Sequence, residues 1–318
     1  MLKPIKFLFL FIFFLTALFQ NINAAPNIQQ LGQTYVEKWI EFYPSEAFTY
    51  GNTDAAWRFE NFSEERMTSW LEYNRQVYTK LSSTNADLSI NQSIDARVLR
   101  RQTLMELERW QYDKVLANQA MYYAELISQA LTYLLVRDQF KSEEKIKILI
   151  ARLRGVQSLS ELGLTKLKNG SQQRTRRAIG ILKQTIEFYE NNLPEIATTW
   201  TSEKKNAELE REIGTTAFAI KKLVQHINEQ ILPTASIPDK FSSVDYARKL
   251  KVYVDSDLSP EQLKQSALRD INETRKLMSS MGTSWWHEKR PQTPIPDNEN
   301  ELLQAVMTAM ENDRNDNR

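Results

Sequence analysis

Apolar positions recur three and four residues apart along most of the chain, the period of an amphipathic helix. The densest run covers residues 121–167. In its first half Tyr122, Leu126, Ile127, Ala130, Leu131, Leu134, Leu135 and Val136 fall on nearly every face, the pattern of a helix buried all round. Arg137 and Asp138 close that run. Ser142 then reads as an N-cap, with Glu143 and Glu144 in the first turn. Ile146, Leu149, Ile150, Leu153, Val156 and Leu159 form the stripe of a second helix. The expected organising element is a central helical hairpin against which the other helices pack.

The same period predicts helices elsewhere. Residues 28–42 carry Ile28, Leu31, Tyr35, Val36, Trp39 and Phe42, and Tyr43-Pro44 ends that helix or opens the next turn. Residues 45–61 are aromatic and turn-rich and read as an ordered loop. Ser63 caps a helix with Met67, Trp70, Leu71, Val77, Tyr78 and Leu81 on its buried stripe. After a polar break at 82–91, Ser93 or Asp95 starts a helix holding Val98, Leu99, Met105, Leu107 and Trp110. Asn169-Gly170-Ser171 stops the hairpin, with Gly170 suited to the position past a helix end. Helices are expected over 175–193, closed by Pro194, and over 203–232, closed by Pro233. Ser259-Pro260-Glu261-Gln262 combines a cap, a proline at the first helical position and a capping-box glutamine. Its helix is expected to reach about Met281, with a loop over 285–296. Asn298 to Glu301 then cap a last helix before a frayed tail at 311–318.

Composition narrows this further. Only 8 glycines occur in 318 residues, which with the helix-favouring residues and scarce alternation argues for an all-α chain. The expected architecture is one helical domain, residues 25–318, of about nine helices. Residues 1–24 have the layout of a secretory signal peptide: Lys3 and Lys6, an apolar run at 7–19, and Ala24-Ala25-Pro26, with cleavage after Ala24. The apolar run is short for a membrane span. With 0 cysteines, disulfides and thiolate metal sites are excluded, and so is a lipid-modified cysteine. Export without cysteine fits a bacterial periplasm or secretion. Removing the leader takes two lysines and leaves 39 basic and 40 acidic side chains. That balance makes no case for nucleic acid or for an anionic membrane surface.

Candidate chemistry is thin. His226 lies inside a helical run. His287-Glu288 opens like a zinc-peptidase HExxH, in which two histidines one turn apart hold the metal and the glutamate activates water. Pro291 stands where the second histidine belongs, so the motif fails. Of the carboxylate pairs Glu64-Glu65, Glu143-Glu144 and Asp255 with Asp257, the first two sit at helix starts, where they favour the dipole, and none is assigned general acid/base work. Arg97, Arg100 and Arg101, and Arg174, Arg176 and Arg177, read as solvated helix faces. No GxSxG occurs. Tyr43, Phe48, Tyr50, Trp57, Phe59 and Phe62 gather in one stretch, with core packing as the default reading and a peptide-binding groove as the alternative. No catalytic, cofactor-binding or metal-ligating residue is assigned.

Phe42-Tyr43-Pro44-Ser45-Glu46-Ala47, Asp95-Ala96-Arg97-Val98-Leu99-Arg100-Arg101, residues 122–140, Ile148 to Leu153, and Asp257-Leu258-Ser259-Pro260-Glu261 with the run to Met278 together resemble one family in their order and spacing. It is the bacterial domain of unknown function 885 (DUF885), whose N-terminal half the chain resembles over residues 28–281. Full-length members look like helical metallopeptidases with an HExxH-type zinc motif in their C-terminal half. The resemblance implies an all-α, peptidase-like scaffold. The chain stops at Arg318, before that half is expected, and no position matches the zinc ligands or the catalytic glutamate. The function expected is therefore an exported, non-catalytic scaffold without a cofactor, binding a peptide or protein partner or associating with itself through an exposed apolar face. The alternative is one piece of a split or truncated zinc metallopeptidase that needs a second chain carrying HExxH.

Overall fold

Local rules set where the helices start in the computed structural model, which describes residues 27–83, 88–200 and 207–316. The predicted signal peptide lies outside the described residues. Helix α1, Ile28–Phe42, is capped by Asn27, whose side chain accepts from the Gln30 amide at 3.1 Å. Pro44 opens α2, Pro44–Thr49, at its first position, where a missing N–H costs nothing. A 3₁₀ turn, Thr53–Trp57, follows, capped by Asn52. The stretch expected as a loop is thus partly helical. Its pieces are too short to show a period, and tertiary packing holds them. Ser63 caps α3, Glu64–Ser82, as its sequence predicts.

Helix α4, Ile90–Leu107, starts earlier than either residue expected to begin it: Ser89 caps it, in a capping box with Gln92. It runs into a π turn, Glu108–Tyr112. Lys114, at φ 46°, reverses the chain into α5, Val115–Asn118. The first arm of the central hairpin is two helices, α6, Ala120–Gln129, and α7, Thr132–Val136, broken at Ala130-Leu131. The second arm is α8, Ser142–Lys166, in which Ser142 is the first helical residue and Lys141 the cap position. Helix α9, Gln172–Glu187, begins after Ser171 and continues through a π turn into α10, Leu193–Thr198, so Pro194 lies inside a new helix and does not close the old one. Helix α11, Ala207–His226, also ends in a π turn, Ile227–Ile231.

Helix α8 lies at the centre. Ile148, Leu149, Leu153 and Val156 are fully buried, and buried side chains surround it on nearly every face. It packs on α11, where Gln157 donates to Glu212 Oε2 at 3.0 Å and to Thr216 Oγ1 at 2.9 Å. Gly155 admits Phe59, two residues past the 3₁₀ turn: a Cβ there would fall 2.2 Å from Phe59 Cβ.

The chain divides into two compact units, Met1–Phe241 and Ser242–Arg318. The second holds α12, Ser243–Lys249, α13, Pro260–Lys289, and α14, Glu299–Asp316. Ser259 and Gln262 form the predicted capping box, at 3.2 and 2.8 Å. Helix α13 continues past Met281 through the tryptophan pair and stops before Arg290, the residue ahead of Pro291. Residues 311–316, expected to fray, are helical. The described residues are all-α, with no strand, and none of their helices is long and apolar enough to cross a membrane.

Candidate functional site: a groove between α1 and α4

Helical spacing puts Gln102, Glu106, Arg109 and Trp110 on one face of α4 and its π turn. That face meets α1, α2 and α3, and Glu106 is its hub. Buried to 2 % exposure, its carboxylate accepts from Tyr43 Oη at 2.5 Å, Trp70 Nε1 at 2.8 Å, Trp110 Nε1 at 3.0 Å and Gln102 Nε2 at 3.3 Å. A buried charge is tolerated when its oxygens are hydrogen-bonded in this way. Burial, then Glu106, pushes the Tyr43 phenol well above its usual range, so Tyr43 stays a donor. Arg109 lies over the Tyr43 ring at 5.8 Å and donates to its hydroxyl at 3.4 Å. Burial opposes the Arg109 charge, but Tyr43 and Glu106 outweigh it and hold the guanidinium more firmly protonated than usual.

Above this floor a groove of about 610 Å³ opens between α1 and α4. Ile28, Val36 and Trp39 from α1 and Val98, Leu99 and Met105 from α4 supply apolar walls; Glu46, Asp95, Glu106 and Arg109 supply the charge. Tyr50 stands at its rim, 80 % exposed, with its ring 6.2 Å from that of Trp39. Burial raises the Glu46 carboxyl above its ordinary value; Glu60 and Glu106 add to this and Arg109 opposes it.

A second buried charge cluster lies nearby. Arg152, 1 % exposed, donates to the carbonyls of Ala130, Ala56 and Arg58 and to Ser45 Oγ. Ser45 in turn donates through N and Oγ to buried Glu60, at 2.9 and 2.6 Å. Burial lowers Arg152 to about 10, with Glu60 pulling the other way, so it remains a cation at neutral pH. The Tyr122 hydroxyl, also out of solvent, has no hydrogen-bond partner.

The residues singled out from sequence scatter. Tyr43, Phe48 and Phe62 are core, Trp57 is partly exposed, and only Tyr50 lines the groove. His226 sits at the end of α11, with a buried Nε2 that has no hydrogen-bond partner, and His287 is exposed in the last turn of α13. Pro291 lies beyond the helix end, so His287-Glu288 does not continue into a helical HExxH, and among the described residues no group of three His, Cys, Asp or Glu is placed to hold a metal. Arg174, Arg176 and Arg177 are exposed, as expected, and Arg174 lies over Phe241 at 5.9 Å. Glu46, Asp95, Glu106 and Arg109 went unassigned. The i, i+3, i+4 spacing of Glu106, Arg109 and Trp110 was the one signal available for them.

The model of the family described as "Bacterial protein of unknown function (DUF885)" matches residues 44–317. The chain belongs to this family. Among solved structures it is similar to a candidate lipoprotein of unknown function from Shewanella oneidensis, at 14% identity and a TM-score of 0.70. The match covers 89% of this chain and 52% of that one, so this member of DUF885 spans about half the length of its structural neighbour. No curated protein matches it.

Proposed function

We propose that this DUF885 chain is an exported, non-catalytic helical scaffold that holds a peptide, or a segment of a protein partner, in the groove between α1 and α4. The groove itself carries the reading: about 610 Å³, apolar on both walls and charged along its floor, the usual make-up of a site that takes an organic ligand. The leader at residues 1–24 would place the protein in the periplasm or outside the cell. Titrating the protein with peptide pools while following hydrogen exchange tests this. Binding should protect residues 28–42 and 95–109 and should return the peptides intact. Peptides that bind without protecting those segments would overturn the assignment.

A second reading, resting on the resemblance to a metallopeptidase-like family, is one piece of a zinc metallopeptidase completed by a second chain with HExxH. Zinc-dependent cleavage on mixing the two chains, and with neither alone, would replace the scaffold reading.

A further inference from the structure

The charges around the groove do not balance. Asp95, Glu46 and Glu106 line it against a single base, Arg109. Arg109 is already engaged, over the Tyr43 ring and beside Glu106. Glu106 is satisfied by four donors. Glu46 is different. It is set back from solvent, burial outweighs the attraction of Arg109 with Glu60 and Glu106 adding to the burial, and no hydrogen bond to its carboxyl contributes to that environment. Trp39 and Tyr50, whose rings lie 6.2 Å apart, line the same groove.

We propose that the groove recognises a basic side chain of its peptide, lysine or arginine, with Glu46 as the counter-ion and Trp39 and Tyr50 as the ring faces beside the cation. The assignment rests on the peptide reading above and sharpens it. A long basic side chain suits the place. Its methylene stem covers the apolar wall while its head reaches a carboxylate, and aromatic faces attract the cation. An acidic excess rejects an acidic peptide by the same physics, so complementarity sets specificity as well as affinity. Burial raises Glu46 against the pull of Arg109, with Glu60 and Glu106 adding to the rise, and an incoming cation adds a second opposite charge to the one Arg109 supplies.

The test is calorimetric titration of the full chain and its Glu46→Gln variant with acetylated, amidated Ala-Leu-Xaa-Leu-Ala peptides, Xaa being lysine, norleucine or glutamate. The lysine peptide should bind about 10-fold tighter than norleucine, a step of about 1.4 kcal/mol, and the glutamate peptide weaker than both. The substitution should abolish the lysine advantage and leave norleucine unchanged. Because it removes a carboxylate whose charge burial opposes, the variant should melt no lower than the wild type, which separates lost binding from lost folding. Equal binding of lysine and norleucine, or a lysine advantage that survives in the variant, overturns the cation assignment and leaves the peptide reading standing. If none of the three peptides binds or protects residues 28–42 and 95–109 from exchange, both fall.

Discussion

The two units are built from the same kind of helix, but they bury very different amounts of it. In the first, α8 has neighbours on nearly every side and buries charge as well as apolar surface, Lys145 and Arg152 included. In the second, α13 runs for 30 residues and buries only Gly282 and Trp286. Leu268, Ile271, Leu277 and Met281 stay more than 40 % exposed on it, and the apolar core of that unit is Trp286, Leu302 and Val306. Amphipathic periodicity therefore states that a face is available, not how many partners it meets. Only where several elements surround a helix can an arginine go inside, because each N–H it loses to water must find a carbonyl or hydroxyl.

The largest effect that would break this contrast is at Arg152. Arg152→Met takes the donor from three carbonyls and the cation from near Glu60, and should cost about 3–5 kcal/mol in urea unfolding. Adding Glu60→Gln should recover part of that loss, as expected of coupled partners. A loss under about 1 kcal/mol would mean that the interior is wetter than its packing implies.

Next come two glycines of opposite sign. Gly155→Ala drives a Cβ into Phe59 and should destabilise by about 1–3 kcal/mol. Gly282→Ala meets Val306 Cγ2 at an ordinary 3.5 Å and should stabilise its helix by up to about 1 kcal/mol. Thermal melts of the pair sharpen the comparison directly.

Glu46→Gln should stabilise the fold at neutral pH, because burial opposes the charged form of the carboxyl it removes. The folded Glu46 carboxyl titrates above its ordinary 4.5. Its favourable contribution is therefore full below 4.5 and is lost as pH rises through the raised folded value. The two melting temperatures should converge on acidification and part on the way to neutral; the reverse trend would contradict the assigned burial. The smallest effect belongs to α13, where Leu277→Ser and Met281→Ser should each stay within about 0.5 kcal/mol. A larger loss, or a change of sedimentation on mutation, would reveal that this face is covered by another copy of the chain.

Helix starts were the most legible feature, because a cap is a local hydrogen bond. Ser63 and Ser259 act as their sequence context predicts. Ser89 was readable by the same rule, with Gln92 three residues on, but Ile90 and Ile94 are exposed, so the apolar stripe gives no guide to where that helix begins. Ends were harder. Helix α9 passes through a π turn towards Pro194, and the wider turn lets the next helix restart with the proline near its first position.

The amino-acid pattern by itself determined that this is an all-α member of its class, where most of its helices lie, and that one hairpin region carries the densest core. These follow from the 3.6-residue period and from capping, which act within a few residues. Tertiary structure alone decided the groove. Tyr43 and Glu106 are 63 residues apart in sequence and 2.5 Å apart in space. Whether a glutamate is a solvated surface charge, like Glu64, or a half-buried carboxyl in a groove, like Glu46, depends on which helices close around it. The energy of a charge is set by the dielectric and the partners it meets after packing, and neither is written in its neighbours along the chain.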